Sequence, residues 1–212
     1  MKLQKRQARP NGEDRLAEIY KIAAQIICEK GFDATSMNDI ADAVGITKAG
    51  IYHYIPGKKE LLFEIMNYGM DKLDRAVIAP ARAITDPEER LRSIIANHCR
   101  LLTGGSTPQG HNPVSIVNDE VAALTPAHRR KIVQRKRAYV DLVRKTLRQL
   151  KDDGKLKDVD VTVAAFSLLG MMLWLSRWFR PDGRLQRDQV VEEVTKVALG
   201  GLLRPSARFV AR

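Results

Sequence analysis

Residues 35–59 read as two short helices on either side of one glycine, and few folds accept such a pair. Ser36 stands three residues before Asp39, the spacing at which a hydroxyl caps a helix and an acid caps it back. Met37, Ile40, Ala41 and Val44 follow at i, i+3, i+4 and i+7, which puts one apolar stripe on the first helix. Gly45 then offers the positive φ that a sharp turn needs. Thr47 caps a second helix that runs to about Ile55, where Pro56 and Gly57 stop it. Ala41 is small enough for the two helices to cross closely, and Ile51 is the aliphatic position that docks back. The outer side of the second helix carries Thr47, Lys48, Gly50, Tyr52 and His53. Their side chains donate to phosphates, Thr, Lys and Tyr also reach base edges, and Gly50 lets a backbone come near. A generic helical hairpin would explain the caps but not the donor face. The pattern predicts a helix-turn-helix whose second helix enters a DNA groove.

A length of 212 residues suggests one or two domains with a real core. The net charge of +11 favours a polyanionic partner and says nothing about fold. Cys28 and Cys99 form no CxxC and lie on apolar helix faces, as small buried hydrophobes of a reducing, cytoplasmic compartment do. Lys2, Lys5, Arg6 and Arg9 are followed by no apolar run, so residues 1–12 are expected to be a basic flexible arm, not a signal peptide. The arm either reaches the DNA or stays solvated. Residues 161–176 lack charge but fall short of the roughly 20 apolar residues of a membrane span. They fit a buried or interface helix, and no membrane partner is expected.

The rest of the chain reads helical, with no convincing alternating strand, so the expected fold is all-α. A first helix over about Glu13–Lys30 completes a three-helix head over 13–57. A longer fourth helix starts near Lys58, with Leu62, Ile65, Met66, Gly69 and Leu73 on its buried side. Residues 58–212 are expected to form a larger ligand-binding and dimerisation domain. Asp86-Pro87-Glu88-Glu89 starts a helix to about Leu102. The Gly- and Pro-rich stretch from Gly104 to Pro113 is either a surface connection or a mobile gate. A short helix over about Val114–Ala123 follows, then a long basic one from Thr125-Pro126 to about Leu150. The last two helices, about Asp160–Phe179 and Arg187–Leu203, offer more apolar surface than one subunit hides. They are expected to form a four-helix bundle with a second copy, an ordinary internal core being the alternative.

No enzyme constellation stands out. His53, His98, His111 and His128 are scattered without metal-ligand spacing, and there is no phosphate-cradling loop or nucleophile elbow. No catalytic residue, metal or cofactor is expected. A small-molecule pocket is expected instead, lined by His98, Leu102, Ile116, Glu120, Tyr139, Trp174 and Trp178. The plainer reading of the two tryptophans, spaced i and i+4, is as core or dimer anchors.

The opening stretch resembles the DNA-binding domain of TetR-family transcriptional regulators. The matching residues are Gly31-Phe32, Thr35-Ser36, Asp39-Ile40-Ala41, Ala43 to Lys48, Gly50 to Tyr54, Pro56, Lys58 and Leu61-Leu62. The likeness covers residues 13–75. Ile55 departs from the usual Phe, and Gly57 from the usual Ser, which implies altered packing and a weaker cap. The resemblance implies a homodimer on a near-palindromic double-stranded operator, with the fourth helix transmitting between domains. Thr47, Lys48 and Tyr52 are then expected at or near bases, and Ser36, His53 and Lys58 at phosphates.

A narrower resemblance lies in Asn118-Asp119-Glu120, Trp174 to Gly183 with its second tryptophan at 178, and Gly200-Gly201. These are similar to a TetR branch of repressors of fatty-acid and steroid breakdown that answer to acyl-CoA thioesters. Arg129, Arg130, Lys131, Arg135, Lys136, Arg137, Arg144, Lys145 and Arg148 would be candidates for coenzyme A phosphates. A solvated helix face explains those charges as well. The expected function is a ligand-responsive repressor, with a helical ligand-binding or scaffold protein lacking operator binding as the alternative.

Overall fold

The computed structural model describes residues 12–104 and 120–205. Nine α-helices are assigned there: α1 Gly12–Lys30, α2 Met37–Val44, α3 Lys48–Tyr54, α4 Lys58–Leu73, α5 Ala79–Ala83, α6 Pro87–Thr103, α7 Pro126–Asp152, α8 Val161–Trp178 and α9 Arg187–Leu202. The expected all-α fold is found, with one isolated bridge, Leu156 to Leu203, as the only β pairing among the described residues. Residues 1–11 of the arm expected over 1–12, and residues 105–119 with the Gly- and Pro-rich stretch and most of the short helix expected after it, lie outside them.

Helix starts follow local chemistry. Ser36, Thr47, Asp86, Thr125 and Asp160 each accept a backbone N–H of the first turn with a side-chain oxygen. At α2 the box is reciprocal: the Asp39 amide donates to Ser36 Oγ at 3.1 Å, and the Ser36 amide donates to the Asp39 carboxylate at 2.8 Å. Hydrogen bonds from the Ser36 amide and then the Ser36 side chain hold the Asp39 carboxyl below its ordinary pKa. Gly45 takes φ 73°, the left-handed turn the sequence requires. Gly57 precedes α4 without a side-chain cap, as its departure from Ser implied.

The head packs Ile19, Ala23 and Ile27 of α1 against Ile40, Ala41, Ile51 and Ile55, all essentially buried. Its core continues through α4, whose Leu62, Ile65, Met66, Gly69 and Leu73 are buried as the periodicity predicts, together with Leu61, Phe63 and Met70. After Leu73 the helix widens into a π turn, Asp74–Ile78, closed by the Ala79 amide on the Asp74 carbonyl. Pro80 lies at the start of α5 and has no N–H for the preceding turn, so a change of register is needed there. α6 lies at the centre of the body and packs on α7, α8 and α9. The short helix expected to end at Ala123 is described only over Val121–Ala123, where it is a 3-10 turn.

α8 is buried on one side only, along Ala164, Ala165, Leu168, Leu169, Met172 and Leu175. At about 100° per residue, Val163, Phe166, Gly170, Trp174 and Trp178 fall on the opposite side. Trp174 is 64% exposed and Trp178 is 48% exposed. By length and composition α8 is the one described helix apolar enough to cross a membrane, but its inner stripe belongs to the core of this fold.

Asp160→Ala removes an oxygen that accepts from both Thr162 and Val163 at 2.8 and 2.9 Å. Urea denaturation should report a loss of about 1 kcal/mol with an unchanged m-value.

Candidate DNA interface and effector groove

α3 is held by its inner face alone. Ile51 is fully buried against α2, and Ala41 gives the close crossing. Thr47, Lys48, Tyr52 and His53 remain exposed on the outer face. Tyr52 is 43% exposed, and Tyr54, which was not among the predicted contacts, is equally so. The His53 and Tyr54 rings meet edge to face at 5.6 Å, which stiffens the end of this face. Ser36 and Thr47 use their oxygens as caps, and for Thr47 this leaves the hydroxyl proton able to donate outward. A Cβ at Gly50 would lie 3.2 Å from Thr47 Oγ1, so glycine there also protects the cap of α3.

Lys58 differs from expectation. Its ammonium turns inward and donates to the carbonyls of Phe32, Asp33 and Thr35 at 2.9, 3.3 and 2.9 Å. It also lies 4.4 Å above the Phe32 ring. Three carbonyl oxygens that follow α1 converge there, and a cation near the negative end of a helix is stabilised. Lys58 is thus a strut between α1 and α4 instead of an outward phosphate donor.

The predicted pocket residues separate into three places. His98, Leu102 and Tyr139 come together inside α6 and α7, all buried. Tyr139 Oη and His98 Nδ1 are hydrogen-bonded at 2.9 Å, with the rings edge to face. Burial lowers the His98 pKa to about 4, pushes Cys99 beside it up to about 12, and raises Tyr139 further. The group is therefore neutral at physiological pH. Trp174 and Trp178 are not beside this pair; they stand on the outer stripe of α8, because the inner stripe is filled by smaller aliphatic side chains. Glu120 accepts from the backbone N–H of Phe32 at 3.3 Å, across the join between head and body. Ile116 lies outside the described residues.

An open groove of about 840 Å³ runs along α7 instead, lined by Ala122, Leu124, Pro126, Arg129, Arg130, Val133, Gln134 and Arg137. The basic residues of α7 are thereby sorted. Arg129, Arg130 and Arg137 face the groove. Arg135 is turned to α4, where it meets Asp71 at 2.6 Å and Asn67 at 3.3 Å. Lys131 lies over Phe63, and Arg144 over Phe166. Ala122, Val133 and Gln134 carried no sequence signal, since a groove wall of mixed polarity has no period of its own. Among the described residues no group of three His, Cys, Asp or Glu is placed to hold a metal ion.

A donor-rich exposed α3 beneath a helical body with a cationic groove defines a ligand-responsive DNA-binding transcription regulator. The chain belongs to the TetR family: residues 19–65 match bacterial regulatory proteins of the tetR family, and residues 84–202 match the tetracyclin repressor-like C-terminal domain. It is 28% identical over 204 residues to the HTH-type transcriptional repressor KstR2 of Rhodococcus jostii (strain RHA1), covering 90% of this chain and 92% of that protein. The structure of AibR in complex with isovaleryl coenzyme A and operator DNA is similar at 42% identity and TM-score 0.78, over 86% of this chain and 97% of AibR. The TetR-family transcriptional regulator PfmR from Thermus thermophilus matches at 32% identity and TM-score 0.74, over 88% and 99% of the two chains.

The pKa of His98 yields a signed prediction. A histidine whose folded pKa lies below its unfolded value stabilises the fold at pH above 6.5, and this is lost as pH falls towards about 4. His98→Asn should remove that dependence. The stability of the wild type relative to the variant should shrink by about 3 kcal/mol between pH 7 and pH 4 in urea titrations.

Proposed function

We propose that this protein is a homodimeric repressor whose effector is an acyl-CoA thioester. The observation that carries the proposal is the set of three guanidinium groups, Arg129, Arg130 and Arg137, on one open groove. Guanidinium forks suit phosphate oxygens, and the groove has room for an extended ligand. The isovaleryl coenzyme A bound by AibR supports the same ligand class here. The acyl end would turn towards the body, where His98, Leu102 and Tyr139 lie.

The outer stripe of α8, with Val197 and the open Gly200-Gly201 of α9, supports a pairing surface for a second copy. Burial of two such stripes would hide Trp174 and Trp178 and form the expected four-helix bundle. Each head, over 13–57, would then place α3 in a major groove, on half-sites about one helical turn apart or slightly more. Thr47, Lys48 and Tyr52 would reach bases, and Ser36 and His53 phosphates, with Gly50 letting the backbone near. The body, over 58–212, would carry effector and dimer surfaces. A cytoplasmic, non-catalytic role follows from this reading.

Two experiments test it. Isothermal titration of the full-length protein should register isovaleryl-CoA binding that weakens roughly tenfold or more in Arg129→Ala/Arg130→Ala, with free coenzyme A binding retained in the wild type. Equal binding by that variant would place the ligand elsewhere. For DNA, an operator chosen from a random-sequence library should bind Tyr52→Ala roughly tenfold more weakly, with fold and oligomeric state intact. Wild-type affinity in a gel-shift titration would remove Tyr52 from the interface.

A further inference from the structure

The body touches the head through α4 and, separately, through Glu120. Glu120 Oε1 accepts the Phe32 amide at 3.3 Å, across 88 positions of sequence. The donor is unusual. α1 ends with Gly31 at φ 84°, and the Gly31 amide closes on the Ile27 carbonyl at 2.8 Å. This simple left-handed closure leaves the next amide, that of Phe32, unclaimed by its own helix. It is given to a carboxylate from the other half of the chain.

Phe32 sits in the short connection that positions α2. The Thr35 amide donates to the Phe32 carbonyl at 3.2 Å, Thr35 Oγ1 donates to the Gly31 carbonyl at 2.8 Å, and Ser36 then caps α2. Lys58 holds the same connection from below. A shift of Phe32 is therefore carried to the start of the helix-turn-helix.

The other side of this contact belongs to the groove. Glu120 opens the 3-10 turn, with its carbonyl accepting the Ala123 amide at 3.1 Å. Ala122, Leu124 and Pro126, within the next few residues, line the groove beside Arg129 and Arg130. Leu124 is buried and Thr125 caps α7, so the turn is tied at its far end as well. One short stretch, 120–126, thus ends on the head and forms the groove wall.

We propose that Glu120 is a coupling residue: its bond to the Phe32 amide carries groove occupancy to the orientation of the DNA-reading head, in parallel with α4. This rests on the groove being the effector site. Coupling requires differential contacts in two states, and a ligand that displaces the 120–126 turn breaks or strains this contact.

The test compares wild type, Glu120→Ala and Glu120→Gln, all full length, on the selected operator with and without isovaleryl-CoA. Glu120→Ala should bind isovaleryl-CoA within about twofold of wild type. The ratio of operator Kd with and without it should shrink at least about fivefold. Glu120→Gln, which keeps an acceptor oxygen, should restore the ratio. An undiminished ratio in Glu120→Ala would overturn the inference, as would failure of Glu120→Gln to restore it. Should isovaleryl-CoA leave wild-type operator binding unchanged, the effector reading fails by itself. Hydrogen exchange at the Phe32 amide then decides: faster exchange in Glu120→Ala than in wild type and Glu120→Gln supports the contact, and equal rates overturn it.

Discussion

A helix buried on two sides cannot move without disturbing both neighbours, and α4 is in that position. Leu61, Leu62, Ile65 and Met66 are fully buried, and its contacts run to α1 on one side and to α6 and α7 on the other. The Phe63 ring stacks on His128 of α7 at 3.9 Å, with the planes within 9°. Arg135 and Asp71 pair nearby, but half in solvent, where such a pair contributes about 1 kcal/mol or less. Apolar packing therefore holds the join, and the polar contacts set its angle. The position of α3, and so the spacing of two heads in a dimer, rests on this helix.

Much of the chain was legible because its determinants are local. The caps at Ser36, Thr47, Asp86, Thr125 and Asp160 and the turn at Gly45 are set by residues within four positions of one another. Helix bounds and the buried side of α4 follow from period and cap alone. Three features were not legible. The direction of Lys58 depends on carbonyls that only the finished α1 brings together. α8 is apolar nearly all round, so its sequence does not say which side faces its own core, and it leaves Trp174 and Trp178 open between pocket, core and dimer surface. The basic residues of α7 look equivalent until α4 and α8 take Arg135, Lys131 and Arg144.

Glu120 is instructive in the same way. Its sequence setting suggested a polar pocket wall. In the fold it lies outside the groove lining, two residues before Ala122, and is turned to the head. One hydrogen bond of 3.3 Å is easily made and easily lost, which suits the coupling role proposed for it.

The buried pair of Tyr139 and His98 bears on which acyl groups such a body could tolerate. A plain hydrocarbon tail that entered between α6 and α7 and parted the pair would strand two polar atoms away from water. Each would cost about 1–3 kcal/mol. A tail with a hydroxyl or carbonyl at that depth would supply the missing partner. Oxygenated acyl chains would then be ranked above saturated ones of equal length, by hydrogen-bond arithmetic and not by size.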